Sequence, residues 1–225
     1  MEMVLNIKSL FELVTIFVVI SFVLIVLECL HSFYKKDNIH RLGGTISNTL
    51  NGIFIKTVLA IFVSGYFGYL VSLYLSLGYG SNPIKITVAS FVLCLLIVDF
   101  SYYIYHIFHH RIKYLWLIHS VHHGDDKFNT STAYRLSWFE KLYNITILIP
   151  AIIVGFDPRL AGLCFAIMSL HDFLCHNAYF KFPTIMEYIF VTPQTHIGHQ
   201  DQEIKHQNSN FGAMFSIWDR MFGTY

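Results

Sequence analysis

The stretch Ile84–His110, IKITVASFVLCLLIVDFSYYIYHIFHH, decides how this chain is read. An apolar helix of about 20 residues crosses a hydrocarbon core of about 30 Å. Residues 84–105 meet that requirement, with Asp99 as the only carboxylate inside the run. The run then leads without a break into His106, His109 and His110. Ionisable side chains at membrane depth are costly, so histidines placed there point to a functional site. A membrane helix that ends in histidines sets the expectation for everything around it.

Working outward, residues 10–30 (LFELVTIFVVISFVLIVLECL) form another span-length run, with Glu12 and Glu28 near its ends. It is longer than a signal-peptide core and lacks a small-residue cleavage site. Residues 52–77 form a further span, and Gly78–Pro83 (GYGSNP) reverses the chain into the stretch quoted above. From His106 to Glu140 the sequence is polar and rich in histidine. Residues 143–177 turn apolar again, broken at Gly155–Pro158 (GFDP). Those two arms are short for full crossings and read as a hairpin that crosses thinly or re-enters. The expected fold is all-α: an integral membrane bundle of about four membrane helices, one pair a short hairpin, under a histidine-rich helical cap. Residues 1–80 supply the N-terminal membrane helices and residues 81–225 the site-bearing part.

Composition agrees with this class. The 225 residues are 55% hydrophobic and 13% charged, against about 25% charged in an ordinary soluble domain. A net charge of +1 gives no bulk attraction to nucleic acid. Cys29, Cys94, Cys164 and Cys175 lie in apolar stretches with no C-x-x-C pair, so they read as small buried hydrophobes rather than a disulfide framework or a zinc site. Repeats, a Gly-rich phosphate loop and a haem-attachment motif are absent from the sequence. Lys35, Lys36 and Arg41 follow the first span, and Arg111, Lys113, Lys127, Arg135 and Lys141 follow the third. The loop between the second and third spans carries no such charge before Lys85. The positive-inside rule therefore puts the 31–45 loop and the histidine region on the cytoplasmic side. The GYGSNP and GFDP turns lie opposite.

Eleven of the thirteen histidines fall between His106 and His206. Side chains at i, i+3 and i+4 of a helix share a face. That rule pairs His106 with His110, leaves His109 the weaker candidate, and gathers His119, His122 and His123. It also pairs His196 with His199, and His176 ends an apolar helix. Neutral imidazole binds zinc, iron, copper and nickel. Eight imidazoles exceed the four ligands of one tetrahedral zinc and suit two metals. No Glu-x-x-His pair falls among these eight, which separates the set from ferritin-like carboxylate bundles. His31, His40 and His206 read as structural, as does His171, which is off the His176 face. Asp99 is either a carboxylate behind a ligand histidine or a polar partner of the interior. Tyr102, Tyr103, Tyr105, Tyr114 and Trp116 read as an interfacial belt.

Asp99–Glu140 reads DFSYYIYHIFHHRIKYLWLIHSVHHGDDKFNTSTAYRLSWFE. It resembles the fatty acid hydroxylase and sterol desaturase superfamily of membrane di-iron enzymes, in D-x-x-Y-Y-x-x-H-x-x-x-H, L-W-x-x-H-x-x-H-H and S-T-A-x-R. The tail TPQTHIGHQ and the ending SNFGAMFSIWDRMFGTY resemble that family's third histidine box and its W-D-R-x-F-G-T close. The likeness covers roughly residues 90–225. FNTSTAYRLSW and MEYIFVTPQTH are most similar to the branch containing alkylglycerol monooxygenase and bacterial relatives. The resemblance implies a lipid hydroxylase or desaturase with two iron ions, zinc being an alternative in purified protein. It implies O2, a lipid substrate such as a fatty acyl, ether lipid or sterol, and a separate ferredoxin- or cytochrome-type electron donor. The positions matching the family's ligands are His106, His110, His119, His122, His123, His176, His196 and His199. Gln200, Asp99, Asn177 and His171 are further candidates as ligands or as supports behind them. The family's third box ends in two adjacent histidines, and here the second is Gln200. That departure leaves a non-catalytic metal-binding pseudoenzyme as the alternative. A metal or proton transporter is a weaker reading, because the histidines cluster at one end of the spans instead of along a path.

Overall fold

The apolar runs become long helices in a computed structural model that describes residues 7–201 and 204–225. The first six residues of the expected 1–80 part lie outside that range. Helix α1 spans Ile7–Lys35, α2 Leu42–Ser76 and α3 Val88–Arg111. The short helices α4 (Lys113–His119), α5 (Trp138–Tyr143) and α6 (Ile149–Val154) lead to α7 (Pro158–Cys175). Three short helices close the chain: α8 (Pro193–His199), α9 (Ile204–Gln207) and α10 (Ile217–Phe222). Among the described residues there is no strand beyond an isolated bridge between Phe190 and Phe215.

Three segments among the described residues are long and apolar enough to cross a membrane: Thr15–Lys35, Val88–Arg111 and Pro158–Cys175. The chain is a membrane protein. Val19, Leu27, Leu30 and Leu93 are each more than half exposed, which suits contact with lipid and would be costly in water. The expected span 52–77 falls within α2, where the side chains of residues 56–64 lie outside the described ones. Helix α2 starts well before that apolar run. Its polar first turns face other protein groups: Asn51 Nδ2 donates to the carbonyls of Tyr134 and Leu136 at 2.9 and 3.0 Å.

The core lies between α3 and α7. Cys94, Val98, Ala161, Cys164 and Met168 are all essentially inaccessible, and small side chains there let two helices approach closely. Cys94, Cys164 and Cys175 are buried, as expected, while Cys29 is half-buried. The hairpin is a 3-10 turn (Asn144–Leu148), then α6, then Gly155 at φ +105°, then α7. At 1.5–2.0 Å per residue the arm Asn144–Val154 is roughly 15–20 Å long, short of a full crossing. Tyr79 donates its hydroxyl to the Ile153 carbonyl at 2.9 Å, and a Cβ at Gly155 would meet the Tyr79 ring at 3.3 Å. The two turns read as lying opposite the histidines therefore touch each other.

At the other end, Arg41 pairs with Asp126 at 2.8 Å and Asn48 donates to Asp125 at 3.1 Å. The 31–45 loop and the histidine region thus share one end of the bundle. Glu28, 4% exposed, ties α1 to that end. It accepts from the backbone N–H groups of Thr130 and Ala178, both at 2.7 Å, and from the Thr130 hydroxyl. His40 Nε2 lies 3.0 Å from the same carboxylate.

Candidate metal centre

Thr87 and Ser90 form a capping box that starts α3, and the helix carries His106 and His110 one turn apart at its far end. Their ring centres are 4.9 Å apart. Ile112 is extended at φ −99°, ψ 115°, which ends α3 and folds α4 back beside it. Helix α4 stops at His119, so His122 and His123 are not on the helix the spacing suggested. They lie in the following turn, where His122 N–H donates to the His119 carbonyl at 2.8 Å. A turn lets adjacent side chains diverge, and these two do. A second capping box, Thr192 with Thr195, and Pro193 in the first turn fix α8. That helix carries His196 and His199.

The eight histidines singled out in the sequence fall into two sets. His106, His110, His119, His123 and His199 form one, and His122, His176 and His196 the other. Within each set the ring nitrogens that could serve as ligands lie within 4.8 Å of one another. The neighbours His122 and His123 go to different sets, and so do His196 and His199.

The hydrogen bonds assign the ring protons. Nδ1 of His106 faces the Phe211 carbonyl at 2.9 Å, that of His122 the Arg135 carbonyl at 3.2 Å, and that of His176 the Asp172 carbonyl at 2.8 Å. His199 Nδ1 faces the Ser209 carbonyl at 2.6 Å, and His119 Nδ1 faces both Glu140 oxygens at 3.2 Å. Each partner only accepts, so each Nδ1 carries the proton and each Nε2 is left with a lone pair. Those lone pairs converge: His106 Nε2 is 3.1 Å from His119 Nε2, and His122 Nε2 is 3.3 Å from His176 Nε2. Buried nitrogens of His110, His123, His196 and His199 have no hydrogen-bond partner among the described residues. Facing lone pairs are unfavourable alone. A cation in each set would relieve them, so the residues fit two metal ions.

Protonation agrees. Burial, then neighbouring imidazoles, push His122, His123 and His196 below the ordinary histidine range. Burial holds His199 down to about 3 despite its bond to Ser209. These rings are neutral at pH 7, the form that binds metal.

Glu140 was not singled out in the sequence. It is 4% exposed and its carboxylate faces His119. Burial pushes its carboxyl up, but the adjacent His119 outweighs that and brings it to about 2. A carboxylate behind a ligand imidazole orients the ring and raises its basicity. Nothing at sequence level marks a partner 21 residues from its histidine.

Asp99 has the other role weighed for it. It holds no histidine: it accepts from the N–H groups of Met214 and Phe215 at 2.9 and 3.2 Å and from Trp218 Nε1 at 2.8 Å. Asp219 likewise accepts from the N–H groups of Phe211 and Gly212 at 2.8 and 2.9 Å. At Gly212 a Cβ would lie 2.4 Å from the Phe215 carbonyl, so only glycine fits this fold of the tail. The two buried aspartates strap down the C-terminal segment, whose Ser209 and Phe211 carbonyls hold His199 and His106.

Asn177 is outside both sets; its Oδ1 accepts from the N–H groups of Tyr179 and Phe180 at 2.9 and 2.8 Å. His171 is outside both sets, its Nε2 facing the Val191 carbonyl at 2.9 Å. His109 bridges the Tyr105 carbonyl and the Tyr143 hydroxyl at 2.7 and 2.8 Å. Gln200 stands beside the smaller set, its Nε2 2.6 Å from His122 Nε2. The belt reading fails for Tyr103, which is fully buried, while Tyr114 is 77% exposed. Trp116 packs on His110 and His123, ring centres 5.0 and 5.4 Å apart.

Comparison with known proteins extends the reading. Alkylglycerol monooxygenase from Xenopus tropicalis is 30% identical over 128 residues, 57% of this chain and 28% of that protein. Ornithine lipid hydroxylase OlsE from Rhizobium tropici is 27% identical over 135 residues, 60% of this chain and 41% of its own length. Human cholesterol 25-hydroxylase is 28% identical over 142 residues, 58% of this chain and 49% of its own length. The match thus spans under a third of the frog enzyme and about half of the human one. No solved structure matches the chain. The model of the fatty acid hydroxylase family matches residues 91–224, which hold all eight clustered histidines, and the chain belongs to that family.

Proposed function

We propose that this chain is a membrane-bound di-iron oxygenase that hydroxylates or desaturates a lipid, using O2 and electrons from a separate ferredoxin- or cytochrome-type donor. One observation carries the reading. Eight imidazoles, seven buried and His110 half-buried, form two adjacent sets at one end of the membrane helices, and the Nε2 lone pairs of His106 and His119, and of His122 and His176, face each other. Two iron ions held there supply what side chains cannot, the activation of O2 for attack on an unactivated C–H bond. The chain's own groups do the rest. The eight imidazoles are the ligands, and the Phe211, Arg135, Asp172 and Ser209 carbonyls fix their rings. Glu140 sharpens His119 as a donor. Burial keeps the rings neutral and limits water at the centre.

The relatives named for alkylglycerol, ornithine lipid and cholesterol support a membrane lipid as substrate. Residues 81–225 act as the catalytic unit, with residues 1–80 as its membrane helices. The Lys and Arg distribution supports a cytoplasmic face for the site, where a soluble reductase would reach it. Gln200 is the one feature that favours a pseudoenzyme instead.

The test is O2-dependent turnover of cellular lipids by purified, iron-loaded protein, together with lipid profiles of a deletion strain. The expected result is an oxidised lipid that disappears on deletion. Iron-replete protein with no turnover, and an unchanged lipid profile on deletion, would contradict the reading. An inactive wild type rescued by Gln200→His would establish the pseudoenzyme.

A further inference from the structure

The two histidine sets are unequal, and Gln200 lies where the smaller one is deficient. His122, His176 and His196 give three donors, one short of a tetrahedral shell. The Gln200 amide is part-buried and its Nε2 sits 2.6 Å from His122 Nε2. The His122 proton is committed to the Arg135 carbonyl, so the nitrogen facing Gln200 is a lone pair. In this orientation the amide donates N–H to the atom a metal would take. The two ends of an amide have nearly the same shape. A half-turn of the amide about its last side-chain bond therefore puts Oε1 where Nε2 stands, with no movement of the backbone. Gln200 is the residue after His199 and caps α8, with its N–H bonded to the His196 carbonyl at 3.0 Å. The helix that supplies one ligand to each set thus also anchors this side chain.

We infer that Gln200 is the fourth ligand of the smaller set. It offers its carbonyl oxygen, which the half-turn places where Nε2 stands. This rests on the two-metal reading above. It makes the centre asymmetric, with five imidazoles on one side and three imidazoles and an amide oxygen on the other. An amide oxygen is a harder and weaker donor to iron than imidazole. The smaller site therefore fills second and releases its metal first.

The test is competitive Co2+ and Fe2+ titration of chelator-stripped, full-length protein in lipid nanodiscs. Wild type, Gln200→His and Gln200→Leu are compared, with bound metal counted per chain and Co2+ absorption recorded. Wild type should show two affinity classes. Gln200→His should tighten only the weaker class, and Gln200→Leu should weaken only that class, each by roughly tenfold or more. Loading of the tight site reports that each variant has folded. Two wild-type affinities in Gln200→Leu, with an unchanged Co2+ spectrum, would overturn the ligand role while leaving the two-metal reading intact. A wild type that binds no metal would overturn both.

Discussion

The five-histidine set and the three-histidine set lie side by side but are built from different parts. The larger set draws on α3, α4, the turn after it and α8. Two of its rings are held from outside by the C-terminal strap, through the carbonyls of Phe211 and Ser209, and a third by Glu140. The smaller set is held more locally. His176 leans on the Asp172 carbonyl of its own helix, His122 on Arg135, and His196 Nδ1 has no partner among the described residues. One side has more donors than a metal strictly needs and a tertiary clamp. The other has a bare minimum and an amide. A two-metal centre need not be symmetric in robustness, and loss of function should start on the lean side.

Removing one ring from each side gives the largest effect. His196→Ala leaves the smaller set with two imidazoles, and its metal occupancy and lipid turnover should fall more than about 100-fold, beyond what loss of an outer partner costs. His123→Ala leaves four imidazoles opposite and should retain most metal, with a smaller fall in turnover. Metal analysis and turnover on the two proteins check this, and equal losses would erase the asymmetry. The effect of Glu140→Gln is smaller. The amide can still face His119 but brings no charge, so metal affinity on the five-histidine side should drop by about 10–100-fold while the other side is unchanged. Chelator competition on the variant measures it, and a loss confined to the smaller set would show that Glu140 acts elsewhere.

Much of this was legible in the sequence, for physical reasons. Run length marks the spans in α1 and α3 but reads the second hairpin arm as short, whereas α7 is long and apolar enough to cross; the touching turns at one end and the shared loops at the other agree with the placement of Lys and Arg. The eight histidines stand out because burying such groups needs a reason. Their partition does not. It depends on α4 stopping at His119, so that His122 and His123 separate in a turn, and on α8 lying between the sets. The groups that aim the rings are mainly backbone carbonyls, which carry no residue identity in a sequence. Asp99 showed that it had to be paired, yet its partners are two backbone N–H groups and the Trp218 indole, all more than 100 residues away. The early start of α2 was hidden because its first turns are polar and meet protein, not lipid.

The central claim is a two-metal centre divided between these sets. The most direct measurement is iron-edge anomalous diffraction from crystals of the full chain loaded anaerobically with saturating Fe2+. Two peaks are expected, one among His106, His110, His119, His123 and His199, the other among His122, His176, His196 and Gln200. A single peak within the five-histidine set, with none in the other at saturation, would contradict the claim.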